Sequence, residues 1–194
     1  MSFAQQKLSE LAVSIPGATK IFREYDLDFC CGGSILLEVA AQQKNLNLAE
    51  IETRLAHLQQ SKSENNDKDW NVAHYDEIID HIITRYRNRH REQLPELITL
   101  AQKVENVHGD REDCPIGVAA QLEKIYIELS QHLMKEEQIL FPMIKAKNYM
   151  MAAMPIRVME MEHDEAGQDV EVVKSLTNHC TAPSDACFSW KALY

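Results

Sequence analysis

The sequence predicts an all-α protein, a small N-terminal helical domain followed by an antiparallel helical bundle. Three observations lead there. Apolar residues recur at three- and four-residue spacing along nearly the whole chain, and no stretch reads persuasively as a strand. A polar stretch at residues 60–71, QSKSENNDKDWN, holds a single large apolar residue, Trp70, and divides a set of short helices from three long ones. The composition agrees: 45% hydrophobic, 26% charged, with only six glycines and six prolines in 194 residues.

In the first region Leu8, Leu11, Ala12 and Ile15, then Ala18, Ile21 and Phe22, follow helical spacing, and Pro16 suits the first turn of a second short helix. The motif DFCCGGS interrupts, after which Ser34 is expected to cap a helix through ILLEVAAQQ. Asn47 caps the next one, with Glu50 reaching back and Leu46 stapling onto Ile51. The expected division is a domain at 1–60, a linker at 61–73 and a bundle at 74–194. Long amphipathic segments cover roughly 74–107, 116–146 and 156–177. A last segment starting near Ser184 is short, so the bundle is expected to be open on one side, a face that a homodimer could cover.

Thirty acidic against 20 basic residues give a net charge of −10, which disfavours nucleic acid and anionic membrane as partners. No apolar run approaches the ~20 residues that span a bilayer, and the first residues lack a basic segment followed by an apolar one. The reading is cytoplasmic. Five cysteines, an odd number without repeated spacing, are expected as reduced thiols.

The stripe Val118, Leu122, Ile125, Leu129, Leu133, Leu140 and Ile144 contains His132 and Glu136, one helical turn apart. A carboxylate on a core-facing stripe needs a counter-charge, and a metal ion supplies one. On the next segment His163 falls among Ile156, Met159, Ala166, Val170 and Val173. Each residue alone also reads as a hydrogen-bonded core group; together, on adjacent helices, they favour a metal site. On the first long segment His90 aligns with Ile79, Ile83, Tyr86 and Leu94 and is expected to face inward, with His81 facing water. Arg87 lies near the inner face, where its guanidinium requires a carboxylate and cannot ligate a metal. Pro95 predicts a kink beside His90. Cys30 and Cys31, expected near a helix start, read equally as reactive or metal-binding thiols and as cysteines packed at a tight turn. Cys114, Cys180 and Cys187 receive no role, and His57, His74, His108 and His179 are expected at the surface.

Taken together, LSELAVSIPGATKIFREYDLDFCCGG, IIDHIITRYRNRHREQLPELI, HLMKEEQILFPMI and MEMEHDEAG resemble the iron-sulphur cluster repair di-iron proteins, the RIC/YtfE/ScdA family, over nearly the whole chain. The resemblance implies a hemerythrin-like four-helix bundle with a carboxylate-bridged site for two non-haem irons. His132, Glu136 and His163 match family ligands, and Cys30 and Cys31 match the family's cysteine pair, for thiol or cluster contact. It further implies a role in restoring iron-sulphur clusters damaged by oxidative or nitrosative stress, by iron donation to damaged iron-sulphur proteins as a non-catalytic factor. A nitric-oxide-consuming non-haem iron enzyme and a truncated paralogue without metal are the alternatives. The chain departs from the pattern twice. Arg87 stands where the family motif has a histidine, so that His90 would replace that ligand only after a rotation of about 60°. The family's second His-x-x-x-Glu, on its last helix, is not reached before CFSWKALY, so that helix is expected to be cut short.

Overall fold

The computed structural model describes residues 2–30, 32–60 and 70–194. The described residues are helical and form no strand; an isolated antiparallel bridge joins Lys7 to Leu36. Contacts divide the chain into two compact units, Met1–Ala73 and His74–Tyr194. The expected linker at 61–73 falls largely outside the described residues.

The first unit packs α1 (Leu8–Ser14), α2 (Ala18–Glu24), α3 (Leu37–Gln43) and α4 (Leu48–Gln60) around one apolar cluster that includes Leu8, Leu11, Phe22, Leu37, Ile51 and Leu55. Pro16 is not in the first turn of α2. It precedes Gly17 at φ +86°, and Ala18 N–H donates to Ile15 O at 3.0 Å, the Pro-Gly arrangement of a type II turn. Ser34 does not cap α3 either, because α3 starts at Leu37 and has no side-chain cap. The preceding loop docks on the start of α1 instead: Leu8 N–H donates to Ile35 O at 3.0 Å, Ser9 N–H to Gly33 O at 2.9 Å, and Leu37 N–H to Gln6 O at 2.9 Å. Backbone partners thus replace the cap. The docking also fixes Gly33, since a Cβ there would lie 2.3 Å from Phe29 O and 2.9 Å from Ser9 Cβ. Asn47 Oδ1 accepts from Glu50 N–H at 3.4 Å as the cap of α4, but the Glu50 carboxylate turns to the Tyr25 hydroxyl, which donates to it at 2.6 Å.

The second unit contains α5 (Tyr75–Ile82), which passes through a π turn at Ile83–Arg87 into α6 (Asn88–His108). Then come α7 (Val118–Lys135), a second π turn at Glu136–Leu140, α8 (Phe141–Lys145), α9 (Tyr149–Leu176) and the short α10 (Phe188–Leu193). His74 begins the unit as an N-cap, its Nδ1 accepting from Asp76 N–H at 3.4 Å while Glu77 accepts from His74 N–H at 3.2 Å. Glu105 on α6 holds the start of α7, accepting from Gly117 N–H at 3.1 Å and Ala119 N–H at 2.8 Å. Helix α7 packs against both α6 and α9, and α10 packs against α6.

Four expectations change here. Helix α6 continues through Pro95, and the departure from regular α geometry lies upstream, at Ile83–Arg87. Helix α9 begins at Tyr149, seven residues before the expected start. Its inner face runs through Ala152, Met159 and Asp169, leaving Ile156 40% and Val170 46% exposed. Of the expected stripe Met159 is buried and Val173 packs against the cluster of Val118, Ala119 and Leu122, whereas Ile156, Ala166 and Val170 are exposed. His108 is not a free surface residue: half-buried, its ring lies 5.1 Å from that of buried Trp190, and its Nε2 is 3.2 Å from Cys187 Sγ.

Candidate metal centre

Two helices bring the centre together. His132 is 8% exposed in the last turn of α7, Glu136 opens the π turn that follows, and His163 comes from the middle of α9. One ligand atom from each of the three lies within 4.8 Å of the others. His132 Nε2 and His163 Nε2 are 3.1 Å apart, and His132 Nε2 is 3.5 Å from Glu136 Oε2. Two nitrogens at that separation fit one ion, because ligands about 2.1 Å from a metal and at right angles to each other are about 3.0 Å apart.

Glu162, absent from the sequence reading, orients the first imidazole. Its Oε2 lies 2.8 Å from His132 Nδ1 and its Oε1 accepts from the Lys135 ammonium. With Nδ1 held by Glu162, His132 turns Nε2 toward Glu136 and His163, where its neutral form would offer a lone pair to a metal. A carboxylate behind a ligating histidine fixes its tautomer in this way. The only available signal was position, a carboxylate immediately before His163.

The charges respond to one another. The Glu136 hydrogen bond, seconded by Glu162, raises the His132 pKa above the ordinary histidine value against the effect of burial. Burial works against ionisation of Glu136, but the His132 hydrogen bond and the Arg87 charge outweigh it and hold its carboxyl below the usual glutamate range. Glu162 behaves alike, with Lys135 and His132 overcoming its desolvation.

Arg87 is the other occupant of this region and is 2% exposed. Its Nη2 donates to Glu136 Oε2, and its Nη1 to Glu137 Oε1 and Leu133 O, both at 3.1 Å. Its Cζ lies 4.6 Å from the Phe141 ring centroid. Arg91 adds a second cation on Glu137 at 2.8 Å. The carboxylate partner that the sequence demanded for Arg87 is therefore present twice.

His90 is exposed, contrary to the inward orientation expected, and does not join the three converging groups. A regular helix at about 100° per residue carries the stripe from Ile83 to Tyr86 and His90. A π turn winds less per residue and holds back all that follows. Arg87 thereby takes the centre of the inner face, while Tyr86 is 50% exposed. His81 is half-buried with its ring edge-on to Tyr86, where water contact alone was expected.

Cys30 is exposed on a loop held by Asp28, whose carboxylate accepts from Cys30 N–H at 2.9 Å and Gly32 N–H at 2.8 Å. Cys31 lies outside the described residues. The helix expected to follow the pair directly begins only at Leu37, so Cys30 does not sit at a helix end.

Two family models and several similar proteins match the chain. The ScdA_N family, a domain of unknown function, matches residues 4–59, and the Hemerythrin HHE cation binding domain family matches residues 78–194. A Haemophilus influenzae protein described as a probable iron-sulfur cluster repair protein is 87% identical over all 194 residues, which span 87% of its length. The iron-sulfur cluster repair protein YtfE of Pectobacterium atrosepticum is 56% identical over the whole chain, again across 87% of its own length. The chain belongs to this family of iron-sulphur cluster repair proteins. The YtfE protein of Escherichia coli O8 is 54% identical over the same span. Among the described residues, no helix is long and apolar enough to cross a membrane.

Proposed function

We propose that this family member holds non-haem iron at His132, Glu136 and His163 and delivers it to damaged iron-sulphur proteins of the cytoplasm under oxidative or nitrosative stress. The observation that carries this reading is the convergence of two imidazoles and a carboxylate from α7, its π turn and α9 within 4.8 Å. Nitrogen and carboxylate donors suit ferrous iron, which supplies redox reactivity toward oxygen or nitric oxide while bound. Iron here is cargo, and the chain's own groups account for its loss. With no ion between them, one of the facing nitrogens His132 Nε2 and His163 Nε2, 3.1 Å apart, would carry a proton and donate it in a hydrogen bond to the other. Glu136 keeps its bond from Arg87. The two imidazole nitrogens and Glu136 would thus keep partners after release, which lowers the desolvation penalty that would otherwise hold the metal. Cys30, exposed at its loop, is the thiol offered to a client cluster, and Cys31 shares that role.

The test is anaerobic Fe(II) loading of the full chain, followed by iron analysis and by transfer to a cluster-depleted iron-sulphur protein. His132→Ala and Glu136→Ala are expected to lower bound iron at least tenfold and to abolish transfer. Iron content unchanged in both variants would remove the reading. Catalytic consumption of nitric oxide, measured with excess reductant, would favour an enzyme over a donor.

A further inference from the structure

We propose that the Arg87 guanidinium stands in the place of a cation between Glu136 and Glu137, so that the His132–Glu136–His163 cluster takes a single divalent ion. The proposal rests on the iron-handling reading and specifies its stoichiometry.

Burial is the first argument. A charge on a side chain that is 3% exposed must be surrounded by partners, and Arg87 has Glu136, Glu137, the Leu133 carbonyl and the Phe141 ring around it. Few surface ion pairs are held on so many sides. The second argument is placement. Arg87 is the last residue of one π turn and Glu136 the first of the other, so the two widened turns bring guanidinium and carboxylate together. The third argument is charge. The bonded network holds three carboxylates, Glu136, Glu137 and Glu162, and three cations, Arg87, Arg91 and Lys135. Leaving the imidazoles aside, these six charges cancel before any metal enters.

A guanidinium has no lone pair to offer a metal, and it engages Glu136 Oε2, the atom that also faces His132. A second dication between Glu136 and Glu137 would meet that positive charge at close range and would have to displace a bidentate donor from its carboxylates. Glu136 Oε2 is thus shared between Arg87 and the His132 side, which leaves the carboxylate room for one ion, next to the imidazoles.

The experiment measures Fe(II) bound per full-length chain by anaerobic equilibrium dialysis, together with thermal unfolding of the metal-free proteins. Wild type and Arg87→Lys, which keeps the charge, are expected to bind one ion. Arg87→His, which replaces the charge with a lone pair, is expected to bind a second ion and to lose thermal stability without metal. Arg87→Gln removes the charge without adding a ligand and is expected to tighten the first ion at least tenfold, a readout that serves even if Arg87→His folds poorly. Two ions in the wild type would overturn the proposal. So would equal stoichiometry in wild type and Arg87→His with no tightening in Arg87→Gln, and neither result would touch the iron-handling reading. No ion in any of the four proteins would remove that reading and the proposal with it.

Discussion

The two units of this chain solve the problem of a helical core differently. In Met1–Ala73 one cluster of 13 buried residues, from Phe3 to Leu55, is continuous. The larger unit His74–Tyr194 divides its buried apolar residues among separate clusters: Ile79 with Leu140, Phe141, Ala152 and Met159; Ala101 with Val118, Ala119 and Leu122; and Val104 with Cys114, Ala186 and Trp190. Arg87, His132 and Asp169 are buried in this unit. The comparison teaches that a polar centre interrupts the apolar core, so that stability there must come from charge pairing as well as from burial.

Substitutions that separate the two strategies can be ranked by expected effect. Phe22→Ala empties the middle of the continuous core and should lower stability by about 3–5 kcal/mol in denaturant unfolding, leaving iron binding by the second unit unchanged. Arg87→Met strands Glu136 and Glu137. The expected loss, measured without metal, is on the order of 2–3 kcal/mol, below the value for fully buried pairs because both carboxylates retain some contact with water. Asp169→Ala removes the acceptor that ties α9 to Gln121 and Lys124 on α7, and should cost about 1–2 kcal/mol, visible as a lower Tm.

Glu52→Gln should cost about 1 kcal/mol at neutral pH. Glu52 accepts from the Ser2 hydroxyl and from Phe3 and Ala4 N–H, and the Ser2 bond leads in holding its carboxyl below the usual range against desolvation. A carboxyl depressed by folding contributes stability that is full above the unfolded glutamate value of about 4.3 and is lost as pH falls through the lower folded value. The difference between wild type and Glu52→Gln should therefore vanish in acid unfolding curves below that window. Smallest of all, His90→Ala should change neither stability by more than about 0.5 kcal/mol nor bound iron, because His90 faces solvent. A loss of iron in that variant would show that the π turn at Ile83–Arg87 does not persist with metal bound.

Periodicity was sufficient for the all-α class and for setting His132 and Glu136 on one helical face, because those rest on burial repeated over many turns. It was insufficient for Arg87 and His90. A π turn inserts less than one extra α-helical turn and leaves no compositional mark, yet it re-aims every residue beyond it. Ser34 misled for a related reason: a hydroxyl before an apolar run is a good cap only when no other acceptor or donor is nearer, and the α1 backbone was nearer. Glu162 and Asp169 were invisible because a carboxylate on a helix becomes meaningful only when the facing helix supplies Lys135 and His132, or Lys124 and Gln121. Contacts between helices, as opposed to faces within one, are not written in the spacing.

The π turn at Ile83–Arg87 gives this stretch a tolerance in length as well as in identity. Removing one residue between Ile83 and Arg87 would let the segment rewind as α-helix and leave α6 facing much as it does now, because a π turn lags a regular helix by about one residue, or about 100°. The exposed Thr84, Arg85 and Tyr86 should accept many replacements and the loss of one of their number, whereas a single deletion in the regular turns of α6 should turn everything beyond it by about 100°.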